Sequence, residues 1–135
     1  MQYHANCTLD QKISLVSGLT KAIQLASTNN KELLIYTGNK SIFEGNIFTN
    51  AIGKDIQKEL LKNREFKNKE LTIFLEFPNS KKSNFKKGVI IVPFATLSDY
   101  NVAFADNRCV DIIFTPWMEI EYTEYIKKNS NSILI

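Results

Sequence analysis

The sequence is short of the residues that build chemical centres. Its 135 residues contain one histidine, two cysteines and one tryptophan. A zinc site needs three or four ligands held together. His4 and Cys7 spell H-x-x-C and Cys109 precedes Asp111, but no C-x-x-C pair completes the set, so no metal is assigned. A Ser-His-Asp or Cys-His catalytic set would have to draw on His4. That residue lies in a segment read as loosely ordered, so no catalytic residue is assigned either. Cys7 and Cys109 are read as the reduced thiols of a cytosolic protein, with Cys109 a small core residue at the start of a strand. No apolar run approaches the ~20 residues that span a bilayer. The opening MQYHANCTLDQK has neither the basic nor the apolar region of a secretory signal, so the expectation is a cytoplasmic location without a membrane partner. Glycine is scarce (5), and no G-x-G-x-x-G dinucleotide fingerprint occurs; no cofactor is assigned.

What is present is ordinary for a globular chain: 44% hydrophobic residues, in a length that suits one α/β domain over 1–135. Lysine, asparagine and isoleucine (15, 14 and 16 residues) supply a third of the chain, the bias an AT-rich genome imposes. Individual lysines and asparagines therefore carry little information. The net charge of +3 is unevenly spread. Residues 54–87 hold ten basic and five acidic groups, whereas 88–135 hold three basic and six acidic ones. That division describes two oppositely charged surfaces, or a basic patch that meets an anionic partner.

Apolar periodicity predicts a helix near 9–28 on an Asp10 cap, with Ile13, Val16, Leu19 (or Leu15), Ile23 and Ala26 on its core face. A second helix is expected near 47–63, carrying Lys54, Lys58 and Lys62 on a solvated face ion-paired with Asp55 and Glu59. The runs ELLIYT (32–37), LTIFLEF (71–77), VIIVPF (89–94), CVDIIFT (109–115) and SILI (132–135) read as strands. Their lack of alternation suits a sheet covered on both faces. Residues 95–108 fit a helix capped near Thr96 or Ser98 better than a strand, and Thr115 with Pro116 is expected to open a helix over 116–128. The resulting order, α-β-α-β-β-α-β-α-β, predicts a single three-layer, Rossmann-like α/β sandwich with a mixed, mostly parallel sheet of about five strands. The ten-residue link 79–88 is short for a parallel crossover, so an antiparallel hairpin is expected there.

LLIYTGNKS (33–41) has the strand, glycine, lysine and hydroxyl of a phosphate loop, but not the G-x-x-x-x-G-K-[ST] spacing, and Gly45 and Asn46 argue against a helix beginning at Lys40. Loops at the carboxyl ends of strands in open sheets nevertheless bind ligands. The candidate ligand-binding residues are therefore Thr37, Gly38, Asn39 and Lys40; Phe94, Thr96, Asp99 and Tyr100; and Thr115, Trp117 and Glu119. The aromatics Phe94, Tyr100, Trp117, Tyr122 and Tyr125 are expected to gather at that end of the sheet, as a pocket for a planar ligand or as a subunit interface. The acidic residues Asp99, Asp106, Asp111, Glu119 and Glu121 have no nuclease spacing and read as the ends of strands and helices. The favoured function is a non-enzymatic ligand- or protein-binding module that self-associates into a homo-oligomer. An enzyme acting on a nucleotide-like small molecule at the same loops is the alternative. Nucleic-acid binding through Lys81, Lys82, Phe85, Lys86 and Lys87, with Phe85 stacking on a base, ranks last.

Overall fold

The computed structural model describes residues 1–6, 10–29 and 31–135. Helix α1 (Gln11–Thr28) starts on Asp10, whose carboxylate accepts a hydrogen bond from the Lys12 amide at 2.7 Å. Its buried face is Ser14, Leu15, Gly18, Leu19, Ala22 and Ala26. Ile13, Val16 and Ile23, placed on the core face by their spacing, instead lie 53%, 49% and 41% exposed. Close approach explains the rotation. A Cβ on Gly18 would sit 2.8 Å from Thr115 Cγ2 and 3.1 Å from Ile91 Cδ1, so the Gly-Ala-Ala side lies flush on the sheet where a bulkier side would not.

Strand β2 (Glu32–Tyr36) leads to a one-turn helix α2 (Lys40–Phe43). A helix does begin at Lys40, contrary to expectation, because the Asn39 side chain accepts from the Ile42 amide at 2.9 Å. The expected helix 47–63 is broken into α3 (Asn46–Ile52) and α4 (Lys54–Asn63) at Gly53, whose φ of +89° only glycine adopts without strain. Arg64, left-handed at φ 62°, reverses the chain into β3 (Glu65–Lys67), which pairs antiparallel with β4 (Thr72–Glu76). Then follow β5 (Gly88–Pro93), α5 (Leu97–Ala105) on its Thr96 cap, β6 (Cys109–Thr115), α6 (Glu119–Lys128) and β7 (Ile133–Leu134). Residues 95–108 thus hold a helix, as their pattern predicted. Helix α6 starts later than expected: Thr115 and Pro116 stay buried with the sheet, where the Thr115 carbonyl accepts from the Phe94 amide at 3.0 Å.

The molecule is an α/β sandwich around, among the described residues, seven strands; with β1 (Gln2–His4) the first, they run in the order β3-β4-β2-β5-β6-β1-β7, parallel except for β3. Two more strands are present than the apolar runs predicted. One is β3; the other is β1 (Gln2–His4), which inserts between β6 and β7 and orders the segment read as loose. No hairpin joins β4 to β5, because β2 lies between them, parallel to both. The link must cross two strand spacings of ~4.8 Å and return along the strand, which roughly ten extended residues reach without a helix. Glu76 and Phe85 anchor it on the sheet: Ser83 donates to Glu76 Oε2 through its amide (2.9 Å) and its hydroxyl (2.7 Å), and the Phe85 ring packs edge-on to Phe74.

Strand alternation divides the core. Leu33, Ile35, Leu75, Ile91 and Ile113 face α1, α3 and α4, while Leu34, Phe74, Ile90, Val92 and Phe114 face α5, α6 and the 79–87 link. Among the described residues no helix is long and apolar enough to cross a membrane.

Candidate functional site

Neighbouring strands β2 and β5 send their chains to opposite faces. The chain leaving β2 carries Phe43 and Phe48 into the α1 side, and the chain leaving β5 carries Tyr100 and Ala103 into the other. Such divergence at the carboxyl ends of adjacent parallel strands is where open α/β sheets commonly take their ligands. The two walls are tied together at the bottom. Thr37, fully buried, donates its hydroxyl to the Pro93 carbonyl at 2.7 Å. A Cβ on Gly38 would stand 3.1 Å from Ile42 Cδ1 and 3.3 Å from the Phe94 carbonyl oxygen, so the two chains run close together here. Asn39 and Lys40 are exposed on the rim.

Phe94 closes the other wall. It is buried, yet its φ is +55°, a left-handed conformation uncommon for a bulky residue. Its ring meets Trp117 edge-on at 5.1 Å and Phe48 at 6.2 Å. Trp117 remains 45% exposed, followed by Met118 (55%) and Ile120 (64%). Thr96 serves as the cap of α5, accepting from the Asp99 amide at 3.1 Å, and Asp99 is half-buried. Glu119 is exposed at the start of α6. Thr115 lies fully buried on the same side of the sheet as α1. Among the described residues its Oγ1 is the one buried side-chain polar atom without a hydrogen-bond partner.

Tyr100 belongs elsewhere. It is fully buried, and its hydroxyl joins a chain with Gln2 (2.9 Å), Tyr125 (3.2 Å), Ser132 and His4 that stitches β1, α5, α6 and the approach to β7. Burial, reinforced by Tyr125, drives the Tyr100 phenol well above its usual range. Tyr125 shares this cluster and Tyr122 packs on His4, so the expected gathering of five aromatics splits into Phe94 with Trp117 and a separate core group. His4 is buried and hydrogen-bonded to Ser132 at 2.8 Å; burial lowers its pKa. Burial likewise pushes the thiol of half-buried Cys109 up to about 11. Cys7 lies outside the described residues. Among those described, no three His, Cys, Asp or Glu side chains converge to hold a metal ion.

A hollow of about 650 Å³ lies on the α5 side, between Tyr36, Glu76, Lys82, Val102, Asp106 and Arg108. It was not legible in the sequence, because Glu76 and Lys82 lie far along the chain from Asp106 and Arg108. Arg108 spends all of its donors here: Nη1 and Nη2 grip Glu76 (2.9 Å each), Nε and Nη2 grip Asp106 (3.0 and 2.8 Å), and Nη1 also reaches the Phe85 carbonyl at 3.2 Å. Burial works against the charged form of Glu76, but hydrogen bonds from Arg108 and Ser83 prevail and hold its carboxyl below the usual range. Hydrogen bonds from Arg108 lower Asp106 against a smaller opposing burial. Tyr36 is raised by burial and by the carboxylates of Asp99, Glu76 and Asp106. The triad braces the β4–β5 link and has no donor left for a ligand.

In that link Lys81, Lys82, Lys86 and Lys87 are exposed, but Phe85 is 3% exposed beneath the Arg108 guanidinium, 5.2 Å from its ring centre. It offers no face to a base. No family model, no curated protein and no solved structure matches the chain. What the fold defines is an open, nearly all-parallel α/β sheet whose chain direction switches between β2 and β5.

Proposed function

We propose that the protein is a ligand-binding module that takes a small planar molecule between Thr37–Lys40 and Phe94–Trp117. The observation that carries the reading is the left-handed backbone of buried Phe94 at the switch point. Strain of this kind costs on the order of 1–3 kcal/mol and persists where the surroundings fix a functional geometry. The half-exposed Trp117 ring supplies an apolar wall, and the backbone from Gly38 to Lys40 supplies polar groups along the facing rim. Among the described residues neither Lys40 nor Asp99, the ionisable side chains assigned here, forms an ion pair, and the reading is binding rather than turnover.

Trp117 is the sole tryptophan, so its fluorescence reports on the site. A thermal-shift screen of planar heteroaromatic compounds should yield a binder that also changes that emission; at 100 times its Kd a ligand adds about 2.7 kcal/mol of stability. Trp117→Ala should abolish the shift and leave the fold intact. Unfolding of that variant would make Trp117 a core residue and end the proposal. The exposed run of Trp117, Met118 and Ile120 supports a second reading, self-association through this end. Its signature is a wild-type dimer in sedimentation that Trp117→Ala turns to monomer.

A further inference from the structure

The helix layer over α5's face of the sheet does not extend across β3 and β4. Two depressions lie there instead. One, of about 280 Å³, runs between Asn63, Arg64 and residues 80–84; the other, of about 600 Å³, runs along Lys67, Thr72, Phe74 and Lys86. They share Glu65, Ser83 and Asn84 and so form one trough. Five cations stand on it: Arg64, Lys67, Lys81, Lys82 and Lys86. Lys82 lies 4.0 Å from Asp106; among the described residues the other four have no carboxylate within that distance. The acids on the trough are engaged by neutral donors, Glu65 by the Asn84 amide (3.3 Å) and Glu32 by the Lys86 backbone (2.8 Å). The opposite end of the sequence carries the acidic excess, including Glu119, Glu121 and Glu124 on α6. A large anion is thus attracted to one edge of the sheet and repelled from the other side of the molecule.

We infer that the β3 edge binds the phosphodiester backbone of double-stranded nucleic acid, without reading bases. Complementarity of charge selects a polyanion. The absence of a stacking surface in the trough selects the duplex over a single strand: its rings, Phe74 and Phe85, are 4% and 3% exposed, and single-strand sites use open aromatic faces. Duplex DNA presents one negative charge per ~1.7 Å, and the five cations of the trough supply the opposing charge.

The test is fluorescence anisotropy with a labelled duplex of arbitrary sequence, titrated across salt concentrations. Contact with four to five phosphates gives a slope of log K against log salt of about −4, at ~0.9 per phosphate. The double variant K81E/K86E should lower that slope by about 2 and weaken binding at low salt by on the order of tenfold or more. K127E/K128E changes net charge equally but on α6, and should bind nearly as the wild type does. K81Q/K86Q repeats the test without charge reversal should the first variant fold poorly. The inference is overturned by no binding at low salt, by equal losses in the two charge-reversal variants, by preference for a single strand of the same length, or by attachment to phosphatidylserine vesicles without attachment to the duplex.

Discussion

At the scale of single residues, Arg108 decides most. Glu76 is a carboxylate within an otherwise apolar strand, with a side chain only 5% exposed, and its charge is tolerable because Arg108 and Ser83 saturate it. Removing one partner of a buried ion pair typically costs 3–5 kcal/mol. Arg108→Ala is therefore expected to destabilise the protein by about 3 kcal/mol at neutral pH, measured by urea unfolding. The pH dependence has a definite sign. The folded pKa values of Glu76 and Asp106 are depressed, so their contribution is full above the unfolded carboxylate range and is lost as pH falls through the lower folded values. Lowered His4 acts in the same direction: below its unfolded value of 6.5 the unfolded chain binds the extra proton. In Arg108→Ala, Glu76 retains its burial without its counter-ion and can be neutralised by acid. The gap between wild type and variant should narrow when unfolding is repeated near the carboxylate pKa. A gap that widens would contradict the triad's role.

At the scale of elements, α1 shows how packing overrides composition. Its buried face sets Ser14, Gly18, Ala22 and Ala26 beside Leu15 and Leu19, while the larger Ile13, Val16 and Ile23 stay exposed. Gly18→Ala sets two effects against each other. Alanine gains about 1 kcal/mol in helix propensity. Its Cβ would meet the Thr115 methyl at 2.8 Å and Ile91 Cδ1 at 3.1 Å, and Thr115 is a stiff β-branched residue in a central region of the sheet. Overpacking of this kind costs ~1–3 kcal/mol, so the net change should be a lower Tm in calorimetry. A raised Tm would mean that α1 moves outward freely. The long expected helix 47–63 fails at Gly53 for an equally local reason, its positive φ. The lysines of α4 stand without the predicted ion pairs among the described residues, because i to i+4 spacing permits such pairs without enforcing them.

At the scale of the whole molecule, the sheet order sets a gradient of protection. Strands β2 and β5 lie inside, with Leu33, Ile35, Ile90 and Ile91 at 0% exposure, whereas β3 and β7 are edges. Hydrogen exchange should find the amides of Leu33–Ile35 and Ile90–Val92 among the slowest, opening only near global unfolding, and those of Glu65–Lys67 and Ile133–Leu134 among the fast ones. Rapid exchange at Ile90–Val92 would be incompatible with this topology.

Four covered strands, β2, β4, β5 and β6, and the α/β layering were legible in the sequence because uninterrupted apolar runs such as VIIVPF suit no exposed setting, and Thr96 marked the start of α5 by its cap chemistry; SILI was legible as a strand but not as covered, for Ile133 and Leu134 lie exposed on the sheet edge. The loops Thr37–Lys40 and Phe94–Thr96 were legible as strand ends. Strands of two or three residues, like Gln2–His4 and Glu65–Lys67, have too few positions to show a period; partners distant in the chain define them. The same holds for the position of β2 between β4 and β5, for the rotation of α1 onto Gly18, and for the meeting of Glu76 with Arg108. Sequence periodicity records which residues prefer to leave water. Which of them leave it together is fixed by close packing and by the pairing of buried charge, and those terms exist only once the chain has closed on itself.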